Sequence, residues 1–166
     1  MKPKDQLILE SIYVTKILKE ESQVGGEHWG TVNNDSGNYE IFVGDVVRAA
    51  NATVKPVNVA VDKFTPPQNL REPENVEKYT KAMLEGKWDW NKPVHASYWK
   101  EHDTWDSYDG NHRVAAAIEA NKVHPNTVKF IPTIDVSGII ENTIQNFNKG
   151  VKTVIGGVEI RIKKKN

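Results

Sequence analysis

The sequence predicts an α+β fold, and three observations carry that expectation. Val57, Val59 and Val61 alternate with Asn58 and Ala60, the period-two pattern of a strand with one buried face. Between Pro73 and Gly86, Val76, Tyr79, Ala82 and Met83 recur at helical spacing, with Pro at a first helical position and Gly at a natural stop. Thr104 to Tyr108 is a β-rich run that turns at Asp109-Gly110 into the Ala-rich helix Val114 to Glu119.

The remaining elements follow in chain order. From Asp5 to Glu21, the residues Leu7, Ile8, Leu9, Ile12, Tyr13, Val14, Ile17 and Leu18 predict an amphipathic helix whose apolar face packs on the domain or, as a minority alternative, on a partner protein. Gly25, Gly26, Gly30, Asn33, Asn34 and Gly37 mark an extended loop around His28 and Trp29, and Tyr39 to Val43 reads as a strand. The strand from Val57 ends at Asp62-Lys63-Phe64, broken by Thr65-Pro66-Pro67-Gln68, and Glu74 suits the dipole of the helix that follows. Pro93 to Trp99 and Thr104 to Tyr108 flank Lys100-Glu101-His102-Asp103 as a hairpin. Val128 to Val136 is a strand in which Pro132 argues for an edge or a bulge. Ser137 caps a short helix carrying Ile139, Ile140 and Ile144. Val151 to Ile155 and Val158 to Ile162, joined by Gly156-Gly157, read as a second hairpin.

Composition bounds the function. The 166 residues fit one domain with appended elements, and 38% hydrophobic content supports a modest core. The 22 basic and 22 acidic residues cancel, so no global field attracts nucleic acid and any such contact is local. Arg161, Lys163, Lys164 and Lys165 are the basic cluster, read as a solubilising tail. With no cysteine, disulfides, thiolate metal sites and cysteine nucleophiles are excluded together. No run approaches a membrane span, and a cytoplasmic protein without membrane association is expected. Histidines 28, 95, 102, 112 and 124 lack zinc-like spacing, so no metal ligand set is assigned; His95 and His102 flank the predicted hairpin.

The strand-turn-helix junction at Asp109-Gly110-Asn111-His112-Arg113 carries the chemistry. A helix's first turn leaves N–H groups unpaired, and its dipole adds positive charge there. Gly110 allows close approach of a phosphate, Arg113 offers a bidentate grip, and His112 a hydrogen bond or a proton transfer. The same residues also suit an ordinary Asp-Gly turn with Asn111 as helix N-cap.

The order of parts from Val57 to Val136 resembles the ParB/sulfiredoxin superfamily, including the segment called the ParB-like nuclease domain. Pro67-Gln68 and Arg71 resemble its first box, Gly86 and Pro93-Val94 its helix exit and next strand, and Gly110-Asn111-His112-Arg113 its phosphate-binding turn, with Ala116 on the following small helical position. The resemblance implies a mixed sheet with helices packed on it over residues 57–136. Residues 1–56 then form an N-terminal helix and loop extension, and residues 137–166 a C-terminal helix and β-hairpin. It also implies a nucleoside di- or triphosphate (ATP, ADP or CTP), with Mg²⁺ as a candidate companion, held by Arg71, Gly110, Asn111, His112 and Arg113.

Departures from the family pattern narrow the expectation. Sulfiredoxin chemistry needs a cysteine in the turn, and none is present. A centromere-binding clamp needs further modules, and the 30 residues after Val136 are expected to form none. Asn111-His112 replaces the Glu-Arg of ParB, bringing the turn closer to kinase-type relatives. The favoured expectation is a phosphotransferase acting on a small hydroxyl substrate, with Asp109 and His112 as catalytic candidates and Asp62 and Glu72 as alternative carboxylates. A nuclease or DNA-associated protein is the first alternative. The second is a non-catalytic protein, of phage or mobile-element type, that binds a host partner through its N-terminal helix and tryptophans.

Overall fold

Residues 27–165 are described by the computed structural model, and the helix expected from Asp5 to Glu21 lies outside them. The described chain is a mixed α+β structure of four helices and two main sheets, in which parallel and antiparallel strands combine. It opens with a hairpin of β1 (Trp29–Asn34) and β2 (Gly37–Phe42), where the sequence reads partly as loop. The Asn-Asp-Ser-Gly cluster is the hairpin's turn: the Ser36 N–H donates to Asn34 Oδ1 at 2.8 Å, and Gly37 takes a φ of 142°. Chain reversal there leaves Trp29, Thr31 and Val32 free to act as strand formers.

Helix α1 (Val43–Thr53) follows β2 with no intervening loop, and it is absent from the sequence expectation. Its N-cap is Phe42, which supplies no capping side chain, so the usual start signal is missing. After β3 (Val57–Ala60) and a single 3₁₀ turn (Val61–Lys63), α2 (Pro73–Leu84) starts with Pro at N1 and is closed by Gly86 at a φ of 70°. β4 (Val94–Trp99) and β5 (Thr104–Asp109) form the expected antiparallel pair, and α3 (Asn111–Val123) leaves β5 through Gly110. β6 (Phe130–Asp135), α4 (Ser137–Asn148), β7 (Val154–Ile155), β8 (Val158–Glu159) and β9 (Ile162–Lys164) complete the order.

The larger sheet has the order β3-β6-β4-β5, antiparallel except for the parallel β4–β6 pair. Pro132 therefore lies in an inner strand rather than at an edge. The lack of an N–H is tolerated because Pro132 pairs with Asn58 on one side, while pairing with β4 begins only at Thr133. On one face, α2 and α3 pack over Val59, Val94, Ala96 and Ile131. Ala116, Ala117 and Ala120 are fully buried there, and their small side chains let α3 lie close to the sheet and to α2, where the Thr80 hydroxyl approaches the Ala116 carbonyl.

A second core lies on the other face. It joins Tyr39, Ile41, Val46 and Ala50 to Ile134 and Val136, and these to Ile139, Ile144 and Ile160, so residues from before position 57 and after position 136 share one interior.

The C-terminal basic cluster is not a free tail. β9 pairs antiparallel with β2, placing Lys163 opposite Glu40 and Lys164 opposite Tyr39. Arg161, just before it, is clamped by the buried Asp45 of α1. The carboxylate accepts from the Arg161 backbone N–H at 3.0 Å, from its Nε at 2.8 Å and Nη2 at 3.0 Å, and from Arg48 Nη2 at 2.6 Å. Burial pushes the Asp45 carboxyl up, but these bonds outweigh it and hold the group below the ordinary carboxylate range. Arg161 also lies 3.9 Å over the Phe42 ring, and Lys163 lies 4.2 Å over Trp29. Truncating Asp45 leaves a helix start and a strand entrance without their common acceptor. Asp45→Ala is expected to lower stability by about 1–2 kcal/mol, because the arginines left behind are half exposed and regain water, read as a fall in the urea midpoint; a change within about 0.5 kcal/mol would mean the clamp is dispensable.

Candidate functional site

The junction between β5 and α3 is built on a left-handed glycine. Gly110 is the N-cap of α3 at a φ of 95°, in place of the expected Asn111, which occupies the first helical position and accepts the Ser107 hydroxyl hydrogen. An added Cβ at Gly110 would meet Val94 Cγ1 at 2.6 Å and Arg113 Nη2 at 2.7 Å. Glycine is therefore required both by conformation and by the tightness of the bend. The first bond inside α3 runs from the Val114 N–H to the Gly110 carbonyl at 3.0 Å, so the N–H groups of Asn111, His112 and Arg113 have no acceptor within the helix.

Beneath this turn sits a buried polar network. His95 on β4 and Asp109 on β5 are register neighbours, with Nδ1 and Oδ2 3.2 Å apart. On its other side the imidazole Nε2 meets Asn51 Oδ1 of α1 at 2.8 Å. Arg113, only 1% exposed, donates from Nη1 to the Lys92 carbonyl, and its Nη2 lies 3.8 Å from Asp109 Oδ2. Burial pushes the Asp109 carboxyl up, but the His95 hydrogen bond and the positive charges of Arg113, His95 and Lys92 outweigh it and hold the carboxyl below its ordinary range.

The sequence-derived candidates thus fall into two groups. Asp109 and Arg113 lie inside the network, where Arg113 braces the Lys92 carbonyl and Asp109 neutralises the cluster. His112, Asn111 and Arg71 lie above it. The His112 Nε2 is hydrogen-bonded to the Arg71 carbonyl, two residues before α2, so the N-termini of α2 and α3 are held side by side at this point. Asp62 lies on the exposed 3₁₀ turn, and Glu72 is the α2 N-cap, its carboxylate accepting from Asn75 at 2.7 Å. Neither carboxylate is bonded to the turn residues. Among the described residues, no group of three or more His, Asp or Glu side chains converges as metal ligands.

Two members of the network carry no site role in the sequence reading. Asn51 belongs to the unforeseen α1, and no local pattern points to it. His95 flanks the predicted hairpin, with a solvated or core role favoured over a place in the pocket; its position opposite Asp109 follows once the β4–β5 register is known.

Two predictions follow from this geometry. Gly110→Ala is expected to cost about 2–3 kcal/mol, since the backbone conformation is unfavourable and Val94 cannot withdraw; an unchanged unfolding midpoint would contradict the bend described. The Asp109 carboxyl has a lower pKa folded than the unfolded value of about 3.9, so its contribution is complete above that value and lost as pH falls through the folded pKa. Asp109→Asn should lower stability at neutral pH and flatten the loss below about pH 4. Parallel wild-type and variant stability curves over that range would rule this out. No helix among the described residues is long and apolar enough to cross a membrane. Compared with known proteins, the chain matches no family model, no curated protein and no solved structure.

Proposed function

We propose that this chain is a nucleotide-phosphate-binding protein of ParB/sulfiredoxin-like type, and that its reaction is phosphoryl transfer to a small hydroxyl compound. The observation that supports the reading is the pairing of two helix N-termini, α2 and α3, through His112 and the Arg71 carbonyl. Both termini add partial positive charge, the α3 terminus adds unpaired N–H donors, and the exposed Arg71 adds a full charge at the same place. A phosphate seated there accepts from the Asn111 and His112 N–H groups and from Arg71, while Arg113 acts from below by bracing the turn.

The proton chemistry falls to His112. A carbonyl only accepts, so the His112 Nε2 carries the hydrogen that reaches the Arg71 carbonyl, and in the neutral ring Nδ1 keeps the lone pair. That nitrogen is the ring's free acceptor and the base offered to an acceptor hydroxyl. Asp109 is not, because a carboxylate held below its ordinary range is a weak base. The same engagement makes Asp109 a poor fit for Mg²⁺, since its Oδ2 faces both His95 and Arg113; no step is assigned to a metal.

Calorimetry with ATP, ADP and CTP tests the reading. One nucleotide is expected to bind, with Arg71→Ala weakening it roughly tenfold, or about 1.4 kcal/mol, and His112→Ala abolishing turnover with an acceptor. Absence of binding by all three, or equal affinity in Arg71→Ala, would sink the proposal.

A further inference from the structure

A second concavity lies away from the phosphate turn. A cleft of about 760 Å³ opens between the β1–β2 turn, the β4–β5 hairpin and α4, and neither Arg71 nor any residue from Gly110 to Arg113 lines it. Its aromatic walls are Tyr98, Trp99 and Tyr108, with Trp99 50% and Tyr98 37% exposed. These rings are held in place. Tyr98 donates its hydroxyl hydrogen to Asp103 at 2.7 Å and its N–H to Ser137 Oγ at 2.7 Å, and its ring packs 5.1 Å from Trp105. The His102 ring meets Trp99 edge-on at 4.3 Å.

The charges of the lining are one-sided although the whole chain is neutral. Asp35, Glu101 and Glu141 come from three different elements, no Lys or Arg lines the cleft, and among the described residues none of the three carboxylates is in an ion pair. Carboxylates beside fixed aromatic faces in a concave surface attract organic cations, by focused field and by cation–π contact. The volume lies in the range of ligand-binding pockets. Side-chain amide groups also line the cleft: Asn33 brings both a donor and an acceptor, while Gln145 donates to Glu141 and Asn148 is held between Tyr39 and Ser36. Such groups pair with a peptide backbone, whereas a simple polyamine presents only amines.

We propose that this cleft binds a basic peptide segment of a partner protein, seating arginine or lysine side chains between Trp99 and the three carboxylates. The test is a titration of the full chain at low salt with a capped tetra-arginine peptide, followed by calorimetry and by the NMR signal of the Trp99 indole, with capped tetra-glutamate and spermine as controls. Saturable binding of tetra-arginine is expected, with a shifted Trp99 signal and no binding of tetra-glutamate. Glu101→Gln combined with Glu141→Gln should weaken it at least tenfold, and Trp99→Ala, at a position 50% exposed, should weaken it independently, with the unfolding midpoint of each variant measured alongside. No saturable binding, equal affinity in the variants, or spermine binding more tightly than the peptide at the same residues would each overturn the proposal.

Discussion

Charge buried at the strand-to-helix junction has to be balanced where it sits, and the Asp109 carboxylate does this for much of the molecule. It faces His95 across the hairpin and Arg113 one helical turn ahead. Through His95 it reaches Asn51 on α1, and through Arg113 the Lys92 carbonyl before β4. Four elements on both faces of the larger sheet are thereby set relative to one bend. A buried ion pair contributes modestly to net stability but severely penalises arrangements that separate its members. Its effect here is to penalise any placement of the α3 N-terminus that parts Arg113 from Asp109.

The parts legible in the sequence are those whose signals are local. Pro73 and Gly86 bracket α2, the alanines of α3 have high helix propensity, and the β4–β5 hairpin has a polar turn between two β-rich runs. The mixed α+β character follows from these. Less local elements escaped. α1 begins directly from a strand with no capping side chain, and beyond Val43 and Val46 its buried face is Gly44, Asp45, Ala49 and Ala50, which carry little hydrophobic signal. β9 reads as a charged tail because Ile162 is its one apolar residue; its pairing is fixed by β2 and Asp45, far away in sequence.

The candidate site divides in the same way. The glycine bend and the two surface groups, Arg71 and His112, were visible as a motif. The burial of Arg113 was not, since an arginine in a first helical turn looks like a solvent-facing cation until Lys92 and Asp109 are folded around it. Long-range polar contacts leave no periodic trace, so Asn51 could not be named in advance. No motif within residues 57–136 announces the second core, because the segments on either side of that stretch contribute most of it.

The clamp between Asp45 and Arg161 joins positions 116 residues apart. Contacts of that separation form late, because the intervening loop must lose its freedom before any bond rewards the closure. The α2–α3 layer closes a much shorter stretch of chain, its Thr80–Ala116 contact spanning 36 residues, and can assemble first. The β1–β2 hairpin and α1 then wait with one sheet edge unpaired until β9 arrives. During synthesis that edge stands open, so the second core is the region where delay would invite strand pairing with another chain.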